Sequence, residues 1–522
     1  MMRTMPGIDA ATDRRQPLVQ WRFPVLLALV LAVMVARIDP LYYGDVVEYM
    51  VNTVAIADHG TPDIRTGDVA RMRTLLPGLF VEPYEQLERG LRNPAEPLLT
   101  GFVRGREGDV FAIHFFGYPL LAAAPFKLFE SLGILPFKAF VAVHAAALFV
   151  LGLALRRFLR SEARAWIGLL LFMLCGGVLY LRWINPEFVT ASLLLAGLLF
   201  FTSGAPAAGS VLAAIAALQN PTIVFFFGFA PLFKLVLDYD RARSFGANLR
   251  ALSSRRTVAG LAAGIAVFAL PPLFNLWQFG VPNIIAKLFS DASLVSGTRL
   301  LSFYFDLNQG MIVGIPGLAL ALLLMLWLWR RDPGQDRRAG VVLVALLFTL
   351  ALALPTMAVL NWNSGAAGVM RYAFWASMAF VFALLAMLRG AARWPRVLLG
   401  GMAALQLAAM VHANSYSYID FSPAARLVLA HAPRLYHPEP EIFGERATRQ
   451  DNNTIRPDQV YTLTLGEATV KTLVNDANPH LDAQLCGAGK TLAPGLPQVA
   501  SVHGWRYIDG PLRCVTAPRP AF

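Results

Sequence analysis

The chain reads as an all-α polytopic membrane protein that ends in a small α+β domain. Three observations predict this. Of its 522 residues 56% are hydrophobic and only 15% charged, against about 45–50% and about 25% in soluble domains, and the mean hydropathy is +0.53. Apolar runs recur through the first 412 residues, several of them near the roughly 17–25 residues that a helix needs to cross a bilayer. After His412 the composition turns polar and proline-rich, at "NSYSYIDFSPAARLVLAHAPRLYHPEPEIFGERATRQDNNTIRPDQ". In a soluble protein the net charge of +12 would point to nucleic acid. Here the arginines sit in short loops between apolar runs, which is the positive-inside pattern, and no nucleic-acid partner is expected.

The first run, about 23–39, follows Arg14, Arg15 and Arg22 and has no small-residue cleavage site behind it. It is expected to be a retained helix with its start in the cytoplasm. Basic loops from Arg156 ("RRFLRSEAR"), Asp238 ("DYDRARSFGANLRALSSRR"), Arg330 ("RRDPGQDRR") and Arg389 ("RGAARWPR") are assigned to that same side. Parity then orders the rest. Residues 23–39 lead out and 138–155 return, which leaves 40–137 as a first periplasmic loop. Within it "FAIHFFGYPLLAAAPFKLFESLG" is apolar, but a crossing there would put Arg156 on the wrong side. Pro119 and Pro125 also argue against one straight span, so the piece is expected to lie in the interface or to dip and return.

The later runs are 165–181, 187–203, 206–219, 221–237, 257–274, 310–329, 339–359, 372–389 and 396–412, for a total of about eleven spans. One long bent segment could replace the short pair around Asn220 and Pro221. The chain thus divides into a transmembrane module, 1–412, and a periplasmic domain, 413–522, in which "QVYTLTLG" and "ATVKTLVND" alternate as short strands do. Cys175 falls in an apolar run as inert packing. Cys486 and Cys514 lie in the tail and could pair in an oxidising compartment. "HGWRYIDGPLRC" could stack sugar on Trp505 and Tyr507, although core packing is the ordinary use of such aromatics.

One stretch stands apart, "LYYGDVVEYMVNTVAIADHGTPDIR" from Leu41. At about 100° per residue, Asp45, Glu48, Asn52 and His59 fall within a sector of about 60°, with Val47, Met50, Val54 and Ala57 on the other side. Gly60 and Pro62 should end the helix. A solvated face would be wider and carry lysines. This seam is narrow and acidic and lies beside a membrane, on an amphipathic helix.

This stretch resembles the first extracytoplasmic segment of the GT-C superfamily of polytopic glycosyltransferases, which includes the protein O-mannosyltransferases and the lipid A aminoarabinose transferases. "IHFFGYPLLAAAPF" from Ile113, "LRWINPEF" from Leu181 and "GAAGVMRYAFW" from Gly365 are similar to further segments of that superfamily, in the same order over roughly the first 400 residues. Where the lipid A enzymes carry H-K-P-P, this chain has "HFFGYP" and no lysine. The resemblance implies an inverting sugar transfer from a polyprenyl-phosphate donor to an extracytoplasmic lipid, glycan or protein, at the inner membrane of a bacterium.

Such chemistry needs a carboxylate to take the acceptor's proton and cations or donors to meet the departing phosphate. Asp45 matches the family's catalytic acid and is the first choice of base, with Glu48 second. Arg371, His114, Arg182, Arg65, Tyr118 and Tyr372 are candidate donor and phosphate ligands, and Asn52, His59 and Glu187 candidates for acceptor binding or orientation. Glu187 could instead pair with Arg182. No zinc-type spacing, Walker motif, dinucleotide fingerprint or G-x-S-x-G is present. A divalent cation is admissible but not expected to be obligatory. The competing readings are a polysaccharide ligase or polymerase and a lipid or solute transporter. A transporter would place its charges at the bilayer midplane.

Overall fold

Helices form where the apolar runs lie. The computed structural model describes residues 16–331, 335–363, 365, 367–389, 391, 394–450 and 455–516; Arg14 and Arg15 lie outside them. Among the described residues seven helices are long and apolar enough to cross a membrane: Lys138–Leu159, Glu162–Tyr180, Pro221–Asp238, Arg255–Phe279, Gln335–Thr356, Arg371–Arg389 and Arg396–Ala413. Three of the runs counted as spans form shorter apolar helices, Glu187–Thr202, Pro206–Ala217 and Pro316–Leu328. The first run lies in Gln16–Arg37. The expected total of about eleven therefore becomes seven on length and composition. The shortening at 203–206 has a local cause, since Gly204 adopts φ +87° and Pro206 begins the next helix. The pair flanking Asn220 and Pro221 exists as two separate helices, Pro206–Ala217 and Phe226–Asp238, joined through a 3-10 turn.

Burial separates centre from periphery. In Arg371–Arg389 83% of the apolar window is buried, whereas in Pro221–Asp238, Arg255–Phe279 and Arg396–Ala413 the share is 22%. The first of these is the axis of the bundle. Close packing at its side uses small residues. A Cβ on Gly209 would lie 2.6 Å from the carbonyl oxygen of Gly197, so glycine lets the helices Glu187–Thr202 and Pro206–Ala217 touch backbone to backbone.

Residues 40–137 form a cap rather than a loose loop. The seam helix is Val46–His59, ended by Gly60 at φ +77°. Helices Thr66–Leu75 and Val81–Arg92 follow, then an antiparallel three-stranded sheet with Val110–Ala112 between Asp63–Ile64 and Phe102–Arg104. The "GYPLLAAAPF" piece is a 15-residue helix, Gly117–Ser131, with Pro125 inside it, and is not among the seven long apolar helices. It lies against both the seam helix and Lys138–Leu159. Buried between these elements, the seam helix has Val46 through Ala55 out of solvent on every face. The amphipathic surface helix expected here is in fact an internal one.

The tail carries a second core made of Phe421, Leu429, Phe443, Tyr461, Leu473, Trp505 and Tyr507, among others. "YTLTL" and "ATVKTLVN" pair as an antiparallel hairpin, and the sheet continues through Trp505–Asp509 to Gln498–Ala500. Trp505 and Tyr507 are core residues, 6% and 0% exposed. Cys486 and Cys514 form a disulfide, and Cys175 is free and buried.

Candidate active site at the seam helix

The start of the seam helix is fixed from the side. Leu41 forms an isolated bridge to the 182–184 segment, where its N–H donates to the Arg182 carbonyl and its own carbonyl accepts from Ile184 N–H. The indole of Trp183 donates to the Tyr43 carbonyl and stacks on the Tyr43 ring at 4.6 Å. Asp45 is the N-cap residue, yet its carboxylate makes no capping hydrogen bond. It turns instead to Arg371 Nη1 at 3.3 Å and His114 Nε2 at 3.6 Å. One turn on, Glu48 Oε2 lies 2.8 Å from His114 Nδ1. His114 thus bridges two carboxylates, one at each ring nitrogen.

Electrostatics follow from this geometry. Burial works against the charged form of His114, but Glu48 and Asp45 outweigh it and raise the imidazole pKa to about 9, so it is a cation at neutral pH. Burial also opposes ionisation of Asp45; His114 and Arg371 overcome it and hold that carboxyl below its ordinary value. For Glu48 burial wins over His114, and its pKa is raised. The Asp45 side chain keeps 31% exposure and that of Glu48 9%. Glu48 is further covered by Gly101, where a Cβ would sit 2.4 Å from Glu48 Oε1.

These groups line a cavity of about 750 Å³. It opens where the end of Gln335–Thr356 meets the starts of Glu187–Thr202 and Arg371–Ala376. Tyr372, Trp375, Glu187 and Asn220 also line it, together with the apolar Phe80, Leu99, Phe102, Ile285, Leu288 and Phe289. Arg371 donates from Nη2 to the Asn361 carbonyl and lies over the Tyr372 ring at 4.8 Å. Its Nε has no protein partner. Glu187 is buried and accepts from Asn220 Nδ2 at 3.4 Å.

Of the residues singled out from sequence, Asp45, Glu48, His114, Glu187, Arg371 and Tyr372 come together here. The others stand apart, each for a local reason. Arg65 is exposed and paired with Asp63 at 2.8 Å. Arg182 reaches the Asp39 carbonyl at 3.3 Å, not Glu187. Tyr118 lies behind the cavity wall, hydrogen-bonded to buried His144 at 2.8 Å. His59 ends the seam helix, about 16 Å along it from Glu48 by helical rise, and bonds Thr61 and Asp68. Asn52 faces a separate small pocket beside Asn275, its Oδ1 without a partner. The seam is continuous in projection, but the cap divides it. Sequence reasoning missed Tyr49, Gly101, Asn220, Asn361 and the role of Trp375. Only Gly101, a glycine amid strand-forming residues in "LLTGFVRG", carried a local signal of close approach.

Asp45, Glu48 and His114 offer ligand atoms all within 4.8 Å of one another, a set of two oxygens and one nitrogen that suits a divalent cation. A cation there would have to displace the proton of His114 and share Asp45 with the Arg371 guanidinium. No family model, curated protein or solved structure matches this chain.

Proposed function

We propose that the protein is a membrane glycosyltransferase of the GT-C type, which moves a sugar from a polyprenyl-phosphate donor to a hydroxyl of an extracytoplasmic glycan, lipid or protein. The observation that carries this reading is the convergence of Asp45, Glu48, His114 and Arg371 in a 750 Å³ cavity that is also lined by Phe80, Leu99, Phe102, Ile285, Leu288 and Phe289. A transferase from a lipid phosphate needs both a carboxylate and a cation.

Asp45 is the base. It is ionised and is the more exposed of the two carboxylates. Glu48, locked to His114, orients the imidazolium and is a positioning residue. The acceptor oxygen attacks the anomeric carbon as its proton passes to Asp45. The bond from that carbon to the phosphate oxygen breaks, and its electron pair leaves with the phosphate. Arg371, with an unpartnered Nε, meets the charge that develops there. The prenyl chain lies along Ile285, Leu288 and Phe289. The attack is single and direct, so the sugar inverts. No step requires a metal.

The orientation that goes with this reading places the N-terminus in the cytoplasm of a bacterium and counts about eleven crossings of the inner membrane. The three short apolar helices and Gln16–Arg37 supply the four beyond the seven long ones. The cavity and residues 413–522 then lie in the periplasm, where a disulfide such as Cys486–Cys514 persists.

The test is turnover of purified protein offered polyprenyl-phosphate sugars of several kinds. Wild type releases polyprenyl phosphate, and Asp45→Asn loses release by about 10²–10⁴-fold, the usual contribution of a general base. Equal release by both would remove Asp45 from its role, and no release from any such donor would remove the donor class.

A further inference from the structure

A second cavity, of about 690 Å³, lies outside the one just described. One wall is the hairpin turn that carries Arg104 and Arg106. The other is the end of the helix Leu270–Phe279 and the short helix Ile284–Phe289, with Trp277 and Lys287. Its lining contains three cations and no carboxylate, and none of the three is in an ion pair among the described residues. Arg104 donates only to carbonyls, those of Gly108 and Gly90. Glu107 and Asp109 belong to the same turn but do not line the cavity.

The two walls are held together. Gly105 approaches the Gln278 side chain and the Phe111 ring so closely that a Cβ would lie 2.7 Å from each. Phe111 meets Phe274 and Phe279 edge-on at 5.5 and 5.9 Å. The basic side is therefore fixed against a helix end, not carried on a free loop. The rim is apolar and open. Leu276, Trp277 and Leu288 are 46%, 59% and 45% exposed. Trp277 sits two residues from the end of the candidate span Arg255–Phe279, where tryptophan marks the headgroup level of a bilayer.

We infer that this groove binds the phosphate headgroup of an anionic phospholipid, with Arg104, Arg106 and Lys287 on the phosphate and Leu276, Trp277 and Leu288 along the first acyl carbons. Guanidinium and ammonium groups are the natural partners of a phosphate diester, and uncompensated cations at headgroup depth attract acidic lipid. A phospholipid, not the sugar donor, is the occupant because the rim carries the exposed Leu276, Trp277 and Leu288 and the short helix Ile284–Phe289 stands between the groove and the central cavity. Leu288 lines both cavities, so an occupied groove braces one wall of the central one. The site does not depend on the reaction assigned to Asp45.

Native mass spectrometry of the full-length detergent-solubilised protein tests this, with phosphatidylglycerol, phosphatidylcholine and polyprenyl phosphate titrated separately. Wild type should retain phosphatidylglycerol in preference to phosphatidylcholine. The double variant Arg106→Gln/Lys287→Gln should bind it roughly 25-fold more weakly, about fivefold for each cation, with an unchanged melting temperature. Lys287→Glu serves as a second variant, with a loss at least as large as that of one cation. Equal retention of phosphatidylglycerol by wild type and both variants would overturn the site. So would a wild type that holds both phospholipids equally, or a groove that takes polyprenyl phosphate and not phosphatidylglycerol.

Discussion

His114 owes its charge to where it sits. With Glu48 at one ring nitrogen and Asp45 at the other, its pKa rises to about 9. The folded value stands above the ordinary 6.5, so the stability this pairing contributes is complete below about pH 6.5 and is lost as pH rises through about 9. Sugar transfer should therefore fall on an alkaline limb near pH 9, which a pH profile of polyprenyl-phosphate release would show. In His114→Gln that limb should disappear. Its persistence would assign it to another group. Gly101 is the matching test of the Glu48 pocket. It stands at φ +98°, and an added methyl would meet Glu48 Oε1 at 2.4 Å. Gly101→Ala should cost about 1–3 kcal/mol for the backbone alone and more for the displaced carboxylate. Gly108→Ala is the control, with φ +90° and nothing within 4 Å. Thermal unfolding of the two variants should separate them, and equal losses would mean that the carboxylate yields freely. At this scale the sequence was partly legible. Asp45 and Glu48 drew attention because a projection at about 100° per residue puts them on one side and a family resemblance points to Asp45, and Arg371 because it sits in a motif similar to one of that family. His59 stands apart because a projection says nothing of distance along the helix, and Arg65 and Arg182 because an expected place at the outer boundary does not say which neighbour takes a side chain.

Among the elements, the junction of tail and bundle is the one the sequence did not announce. Arg299, on the helix Gly297–Phe305, donates to Glu439 at 3.1 Å and Glu441 at 2.7 Å, and to the carbonyls of Met357 and Val359 at 2.7 and 2.9 Å. Asn363 donates to Glu441, and Arg446 reaches Asn363 and Gln309. All of these side chains are buried. The network ties the tail helix Pro440–Thr448 to the segment that carries Asn361, whose carbonyl accepts from Arg371. Breaking a buried ion pair from one side leaves charge unpaired, so Arg299→Met should cost about 3–5 kcal/mol. Limited proteolysis should then release the tail faster than in wild type; unchanged protection would show that the junction rests on its apolar contacts. Arginines and glutamates at 140-residue separations leave no periodic trace, which is why nothing in the sequence joined them. The hairpin "YTLTLGEATVKTLVN", by contrast, was readable because alternation and a glycine turn are local.

For the whole molecule, the seven long helices set the minimum and the short ones decide the count. Gly117–Ser131 is the critical piece, since its crossing would invert every later segment. A periplasm-active reporter fused after Ser131 should be active; silence there would mean that the piece crosses after all. The opposite end of the bundle carries the basic loops from Arg156 and Asp238, away from the residues that line the cavity. That polarity agrees with charge bias as the determinant of orientation.

By itself the sequence determined that this chain carries helices long and apolar enough to cross a membrane, that a polar domain follows them, and that an acidic seam opens the first segment. These are properties of composition and short-range periodicity, and they survive without neighbours. Only the tertiary structure decided which seam residues meet. It buried the seam helix under the cap, gave Asp45 and Glu48 a shared histidine, brought Arg371 to them across 326 residues of chain and sent His59 elsewhere. Contacts at that separation come from how helices and cap pack against one another, and packing is a property of the whole chain that no window of it contains.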